Sequence, residues 1–274
     1  MELNKKSKIE SVVAKKINDF SVAFQKRHIA DLKSGCGPLI DKRHNDFIYS
    51  LGSEFAVGSA FYRSFDSALG KMLETLGQLL ASMFYEGRKG INSFIFKDQL
   101  DLTGQLVFDY DVRKASPKIE DYSKFSSDGQ NAILMKHATD NFFYDSKENV
   151  WHIIELKFGC DLDIKKAKAE KIELVKQYFL MKNLVEKEGG DAEVQIHLAA
   201  AYNKYGEGNA WSHPRVKQYF ADEELLIGSQ YWNLVCNDED GYEVVLDSYI
   251  KNSELILNAR KMIMEAYDAN VQAS

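Results

Sequence analysis

Proline is scarce in this chain, 3 among 274 residues, and glycine reaches only 17. These numbers exclude a collagen-like repeat and a Pro-rich linker protein, and they leave room for long uninterrupted helices. Cysteine is also sparse. Cys36, Cys160 and Cys236 are odd in number and too widely spaced for a disulfide framework or a zinc cluster. They are expected to be free, buried thiols in a reducing compartment. No long hydrophobic run occurs: the longest uncharged apolar-rich stretch, residues 75–85, falls far short of the ~18 residues a membrane span needs. Near the start, Ile9, Val12 and Val13 are followed at once by Lys15 and Lys16, so no apolar signal core forms. A soluble, cytoplasmic protein is the expectation. An excess of positive charge is missing as well. The 35 Lys and Arg against 41 Asp and Glu give a net charge of −6. That excludes a chain-wide basic footprint for nucleic acid but not a local one.

What the chain does have is apolar mass. Hydrophobic residues make up 45% and aromatic residues 12%, enough for a sizeable core and too much for a disordered chain. Residues 4–32 show helical periodicity, with Ile9, Val12, Val13, Ile17, Phe20, Val22 and Phe24 set among lysines. A second helical pattern runs over about 53–86. The segments 93–96 and 105–110 are short and aromatic, and 113–130 is polar and loop-like. From residue 141 the texture is strand, turn, strand: 141–144, then 145–149, then the β-branched and aromatic 150–157. A lysine-rich helix over 164–187, a strand over 193–199, a polar loop over 202–215 and a final helix over 242–267 follow. This order predicts an α/β fold, a mixed central sheet with flanking helices. The expected organisation is one domain over 1–274, with a helical extension over 1–50, a core over 60–235 and a C-terminal helix over 241–268.

The hairpin concentrates the charged groups of interest. With Lys147 and Glu148 at its centre, Asp145 faces Val150 and Asp140 faces Glu155. Directly opposed side chains lie about 4.5–5.5 Å apart at Cβ, and Glu155 shares its strand face with Lys157, two residues on. Asp140, Glu155 and Lys157 therefore converge, whereas Asp145 lies about 17 Å away at the usual strand rise. Two carboxylates this close repel, and a hard cation such as Mg²⁺ between them relieves the repulsion. Lys157 is then placed to orient an attacking water and to stabilise charge developing on phosphorus oxygens. Glu-x-Lys by itself is a frequent tripeptide and commonly a solvated ion pair. Its neighbours Trp151, Ile153, Ile154, Leu156 and Phe158 mark a strand buried on both faces, where charges more often serve function.

Asp140, the hairpin and Ile154-Glu155-Leu156-Lys157 resemble the PD-(D/E)XK nuclease signature, with Thr139 in place of its proline. Glu155 to Gly159, Asp163 to Lys171, Ala201 to Gly206 and Leu226 to Trp232 are similar to type II restriction endonucleases of the TdeIII kind. The helix around Arg63 to Gly70 with Glu74 also fits that group. Position 204 is Lys where that group's pattern has Pro. The resemblance covers about residues 60–250. It implies a Mg²⁺-dependent homodimer that hydrolyses both strands of double-stranded DNA at a short palindromic, GGNCC-like site. It also implies that Glu74, on the first core helix, approaches the metal; on residues alone Glu74 reads equally as a buried acid with a local partner. A two-fold DNA site does suit an isologous pair of subunits.

Lys165, Lys166, Lys168 and Lys171 open the helix after the cluster and are candidates for phosphate contacts. Their alternative is a solvated helix face with pairs such as Lys166–Glu170. In the loop that follows, Asn203, Lys204, His213 and Arg215 are candidates for reading bases, or plain solvated turn residues. His152 is expected on the far side of the sheet. Cys160 has no activating histidine that the sequence places beside it. A structure-selective or repair nuclease on the same core, and a non-catalytic DNA-binding or interaction protein, remain open at this level.

Overall fold

A computed structural model describes residues 1–88, 90–137 and 141–272. The helices are α1 (Leu3–Lys33), α2 (Pro38–Asp41), α3 (Asp46–Tyr49), α4 (Ser53–Ala81), α5 (Lys97–Asp111), α6 (Glu120–Ser123), α7 (Ile164–Lys187), α8 (Pro214–Lys217), α9 (Ser229–Val235) and α10 (Gly241–Gln272). The strands are β1 (Glu86–Gly87), β2 (Ile91–Ile95), β3 (Ile133–His137), β4 (Asn141–Asp145), β5 (Val150–Lys157), β6 (Glu193–Ala200) and β7 (Leu225–Ile227). The chain divides into two units, one of residues 1–76 with the segment from Glu243 onwards, the other Gly77–Tyr242.

The first unit is helical. Ile9, Val13, Ile17, Phe20, Phe24, His28 and Leu32 recur every three or four residues and form the buried stripe of α1. Val22 does not belong to that stripe and is 56% exposed, although its neighbours suggested it. Phe20 meets Phe65 of α4, and Phe24 meets Phe61 and Phe65, with ring centroids 5.7–6.0 Å apart. On α10, Ser248 donates to the Glu10 carbonyl at 3.2 Å and Asn270 to that of Leu32 at 3.0 Å.

The second unit is a mixed sheet with helices packed on it. The strand order is β1-β4-β5-β6-β7, with a separate β2–β3 ribbon. β1–β4 and β4–β5 are antiparallel, and β5–β6 and β6–β7 are parallel. The parallel β5–β6 pair needs a crossover, and α7 is that crossover. Asp163 starts it as N-cap, its carboxylate accepting from the Lys166 N–H at 2.8 Å. One side of the sheet, Trp151, Ile153, Val194, Ile196 and Leu198, forms a single core with Ala167, Leu174, Val175, Tyr178 and Phe179 of α7. α5 joins this core through Leu106, Val107 and Tyr110. The aromatic segment 105–110 is thus the second half of a helix, its buried residues three and four apart, and not a separate short element.

On the opposite side Phe143 stacks with Tyr85 at 4.5 Å and meets His152 at 5.2 Å. His152 lies on that far side as expected, 5.8 Å from His197. Burial lowers both imidazoles, to about 4 for His152 and about 3 for His197, so both are neutral at physiological pH. Gly77 of α4 has no Cβ because Tyr231 and Asn141 close over it. Cys160 and Cys236 are buried and free as anticipated, but Cys36 is exposed, beside Ser34 just beyond the end of α1.

Candidate active site

β5 is buried from Val150 to Ile154 and again at Leu156. The exceptions are Glu155 and Lys157, which share the face turned toward α7 and keep 20% and 28% of their side-chain surface. The Lys157 ammonium donates to Glu155 Oε1 at 2.7 Å and lies 2.8 Å from Glu170 Oε1 of α7. Burial alone would lower the Lys157 pKa. Hydrogen bonds to Glu155 and Glu170 outweigh it and hold the ammonium well above its ordinary range. Lys157 is therefore a permanent cation, fit to orient a group or to offset negative charge, and unfit to act as a general base. Glu155 Oε2 accepts no hydrogen bond from the described residues.

The hairpin register agrees with the sequence reading over every described pair, from Asp145↔Val150 to Asn141↔Ile154. Asp140 itself lies outside the described residues. Asp145, at the other end, has a turn-building role. Its Oδ1 accepts from the backbone N–H of Lys147 at 2.9 Å and of Glu148 at 3.3 Å.

The end of β5 offers oxygen donors. Nearby Cys160 remains a thiol, because burial pushes its pKa up to about 12. Oxygen donors without thiolate suit a hard cation. Among the described residues no three His, Cys, Asp or Glu side chains converge as a metal site. A complete donor set would need Asp140 beside Glu155.

The remaining candidates sort by what already holds them. Glu74 belongs to the helical unit and pairs with Lys71 at 2.6 Å. Lys165 is exposed and has no ion-pair partner among the described residues. Lys166 lies 3.9 Å from Asp163 and Glu170 meets Lys157, so the Lys166–Glu170 pair of the alternative reading does not form among the described residues. Lys168 reaches Asp111 at 3.1 Å. Asn203 has both amide ends inside its own loop, donating to the Asn209 carbonyl at 2.7 Å and accepting from the Tyr205 N–H at 3.0 Å. Lys204 and His213 both meet Asp161, at 3.0 and 3.1 Å, and their hydrogen bonds hold the Asp161 carboxyl below its usual range. His213 is buried; Arg215 is exposed.

The chain matches the family described as HinfI, type II restriction endonuclease, over residues 4–253. The chain belongs to this family. It is a type II restriction endonuclease that acts on DNA. No curated protein and no solved structure matches it. No described helix is long and apolar enough to cross a membrane.

Membership in the HinfI family covers both units, because residues 4–253 include α1, α4, the sheet and the first part of α10. The matched range includes the Glu155–Lys157–Glu170 cluster. The sequence does not mark Glu170 as a site residue, because helical spacing offers it only Lys166 as a local partner. The signal was topological. A helix that returns from the end of a strand brings its first turns back beside that end, and in α7 this sets Glu170 against Lys157.

Lys171 is the one expected phosphate contact that the structure rules out. Its side chain is fully buried, ion-paired with Glu224 and surrounded by the rings of Tyr122, Phe220 and Tyr110 at 5.0–5.9 Å. An ammonium closed in this way cannot reach DNA, and the lysine set contracts to Lys165, Lys166 and Lys168. Glu224 also accepts from the Tyr122 hydroxyl and the Ala221 N–H, both at 2.8 Å. Glu224→Ala should therefore destabilise the fold by about 3–5 kcal/mol, because it leaves a buried cation unpaired. Urea denaturation measures this. Lys171→Met combined with Glu224→Leu should recover part of the loss. A single-variant cost under about 1 kcal/mol would remove the pair from the structural core.

Proposed function

We propose that this enzyme is a homodimer that acts in the cytoplasm and hydrolyses phosphodiester bonds in both strands of a short palindromic DNA site, with Mg²⁺ held by Asp140 and Glu155. The observation that carries the reading is the Glu155–Lys157 pair at the end of β5, 2.7 Å apart and part-buried, in a hairpin whose next register pair would be Asp140 with Glu155. When bound, Mg²⁺ supplies a Lewis acid and a water of lowered pKa. Asp140 and Glu155 contribute carboxylate oxygens to hold it. Lys157, kept charged by its two carboxylates, orients the attacking water and offsets charge that grows on the phosphate oxygens. Lys165, Lys166 and Lys168, in the first two turns of α7, meet backbone phosphates, and Arg215 of α8 is an exposed cation available to a base edge.

Digestion of one sequenced plasmid with and without Mg²⁺ tests the reading. Discrete Mg²⁺-dependent fragments are expected, and mapping their ends identifies the site, including whether it is GGNCC-like. A smear, or preference for branched DNA, would point to a repair nuclease, and binding without cleavage would end the catalytic reading. Sedimentation of the protein with cognate DNA should give the mass of two chains per duplex.

The lysines make a separate expectation. Neutralising Lys165 and Lys168 to Gln should weaken DNA binding uniformly across sequences and flatten the salt dependence by up to roughly 0.9 per lost phosphate contact. Binding isotherms across a salt series measure the slope. An unchanged slope would return both lysines to the solvated face of α7.

A further inference from the structure

Lys157 is shared between two carboxylates on two different elements. Glu155 stands two residues before it on β5, and Glu170 stands in the second turn of α7. All three side chains keep between 20% and 28% of their surface, so they form neither a dry core pair nor a free surface pair. Glu170 has no second cation partner among the described residues. Its local alternative, Lys166, is one turn away on the same helix, yet Lys166 turns to Asp163 and Glu170 spans to the strand.

The arrangement matters once a divalent cation approaches Glu155. The cation competes for the carboxylate that Lys157 holds, and it repels the ammonium. A lysine with Glu155 as its sole partner would either block the carboxylate or be driven into solvent. A second carboxylate on a rigid helix prevents both, because it holds the ammonium without using the strand's acid.

We propose that Glu170 is the positioning residue for Lys157: it keeps the ammonium at the end of β5 and, by drawing it off Glu155, leaves that carboxylate free for the divalent cation. This rests on the nuclease reading of the cluster. Glu170 acts through Lys157 and does not itself ligate the cation.

A double-mutant cycle read by metal binding tests this apart from activity. Mn²⁺ is titrated by calorimetry into the DNA-free, full-length protein: wild type, Glu170→Gln, Lys157→Met and the double variant. Glu170→Gln should weaken Mn²⁺ binding by roughly 10-fold, within the 10–100-fold typical of groups that orient metal ligands. In the Lys157→Met background the same change should cost less than about 3-fold, because the residue it acts through is gone. Single-turnover cleavage at saturating Mg²⁺ should fall roughly 10–100-fold in Glu170→Gln, with Ca²⁺-supported DNA affinity unchanged. Equal losses of Mn²⁺ affinity in both backgrounds would make Glu170 a direct ligand and overturn the proposal. No loss in either background overturns it too, as does a Glu170→Gln protein that fails to fold. A wild-type protein that binds Mn²⁺ and cleaves no DNA would sink the nuclease reading, while the cycle still decides Glu170's role.

Discussion

Lys157→Ala is expected to bind cognate DNA with Ca²⁺ and to cleave it hardly at all with Mg²⁺. The ammonium is a cation held by two carboxylates, at 2.7 and 2.8 Å, so it stands ready where negative charge would appear and cannot itself ligate a metal. In the proposed role its contribution belongs to the transition state, and its loss should appear in the rate of strand scission and not in affinity. Removing one preorganised charge of this kind typically costs on the order of 10²–10³ in rate, or about 3–4 kcal/mol. Arg is not a conservative replacement, because its wide planar fork cannot occupy the same point between Glu155 and Glu170. Lys157→Ala also leaves those two acids facing each other unneutralised. Lys157→Met, which restores volume without charge, is therefore the companion variant, and both should lose the same order of rate. Single-turnover cleavage and gel-shift affinity on one preparation decide the matter. Near-normal cleavage would remove Lys157 from the reaction, and parallel loss of folding would make it only a structural partner of Glu155.

The elements that the sequence specified best were those whose signal is local. The β4–β5 hairpin is legible because aromatic and β-branched residues flank a polar turn, the four residues 146–149, and that turn fixes the register. α7 is legible from its capping Asp163 and its length. The segment 105–110 misled because its aromatic residues suit a strand as well as a helix, and packing of Leu106, Val107 and Tyr110 against α7 decides between them. The short strands β1 and β7 carry only two and three residues, too few for any periodicity.

Charged residues are legible by type and not by partner. Lys165 and Lys171 sit on one helix in one basic run, yet the first is exposed and the second fully enclosed. The difference comes from Glu224, fifty-three positions along the chain, and no local pattern contains it. Glu170 was obscured for the same reason: its partner is set by the β5–α7 crossover and not by helical spacing. In the 202–215 loop, Asn203, Lys204 and His213 have the side chains that read bases, but the loop already uses them for its own turn and for Asp161. Reading bases with them would require those bonds to be exchanged for bonds to DNA.

The acid pair makes the sharpest distinction. Asp140→Asn and Glu155→Gln should each lower cleavage by several orders of magnitude, while Asp145→Asn should be mild. All three substitutions remove one carboxylate charge from the same hairpin, so the contrast isolates position. The described register ends at Asn141↔Ile154, and the proposed pairing of Asp140 with Glu155 is its extension by one step. Asp145 pairs with Val150 at the far end of the hairpin and uses Oδ1 to accept from the N–H groups of Lys147 and Glu148. An asparagine keeps that oxygen, so the turn should survive the change. At Asp140 and Glu155 the amides keep size and shape but lose charge, and a neutral amide is a far weaker ligand for a hard cation. The losses should therefore persist at raised Mg²⁺, whereas Asp145→Asn should need no extra metal. Cleavage rates across a Mg²⁺ series for the three variants measure this. If Asp145→Asn abolishes activity while Asp140→Asn cleaves normally, the metal-binding acids are not the pair that the hairpin register brings together.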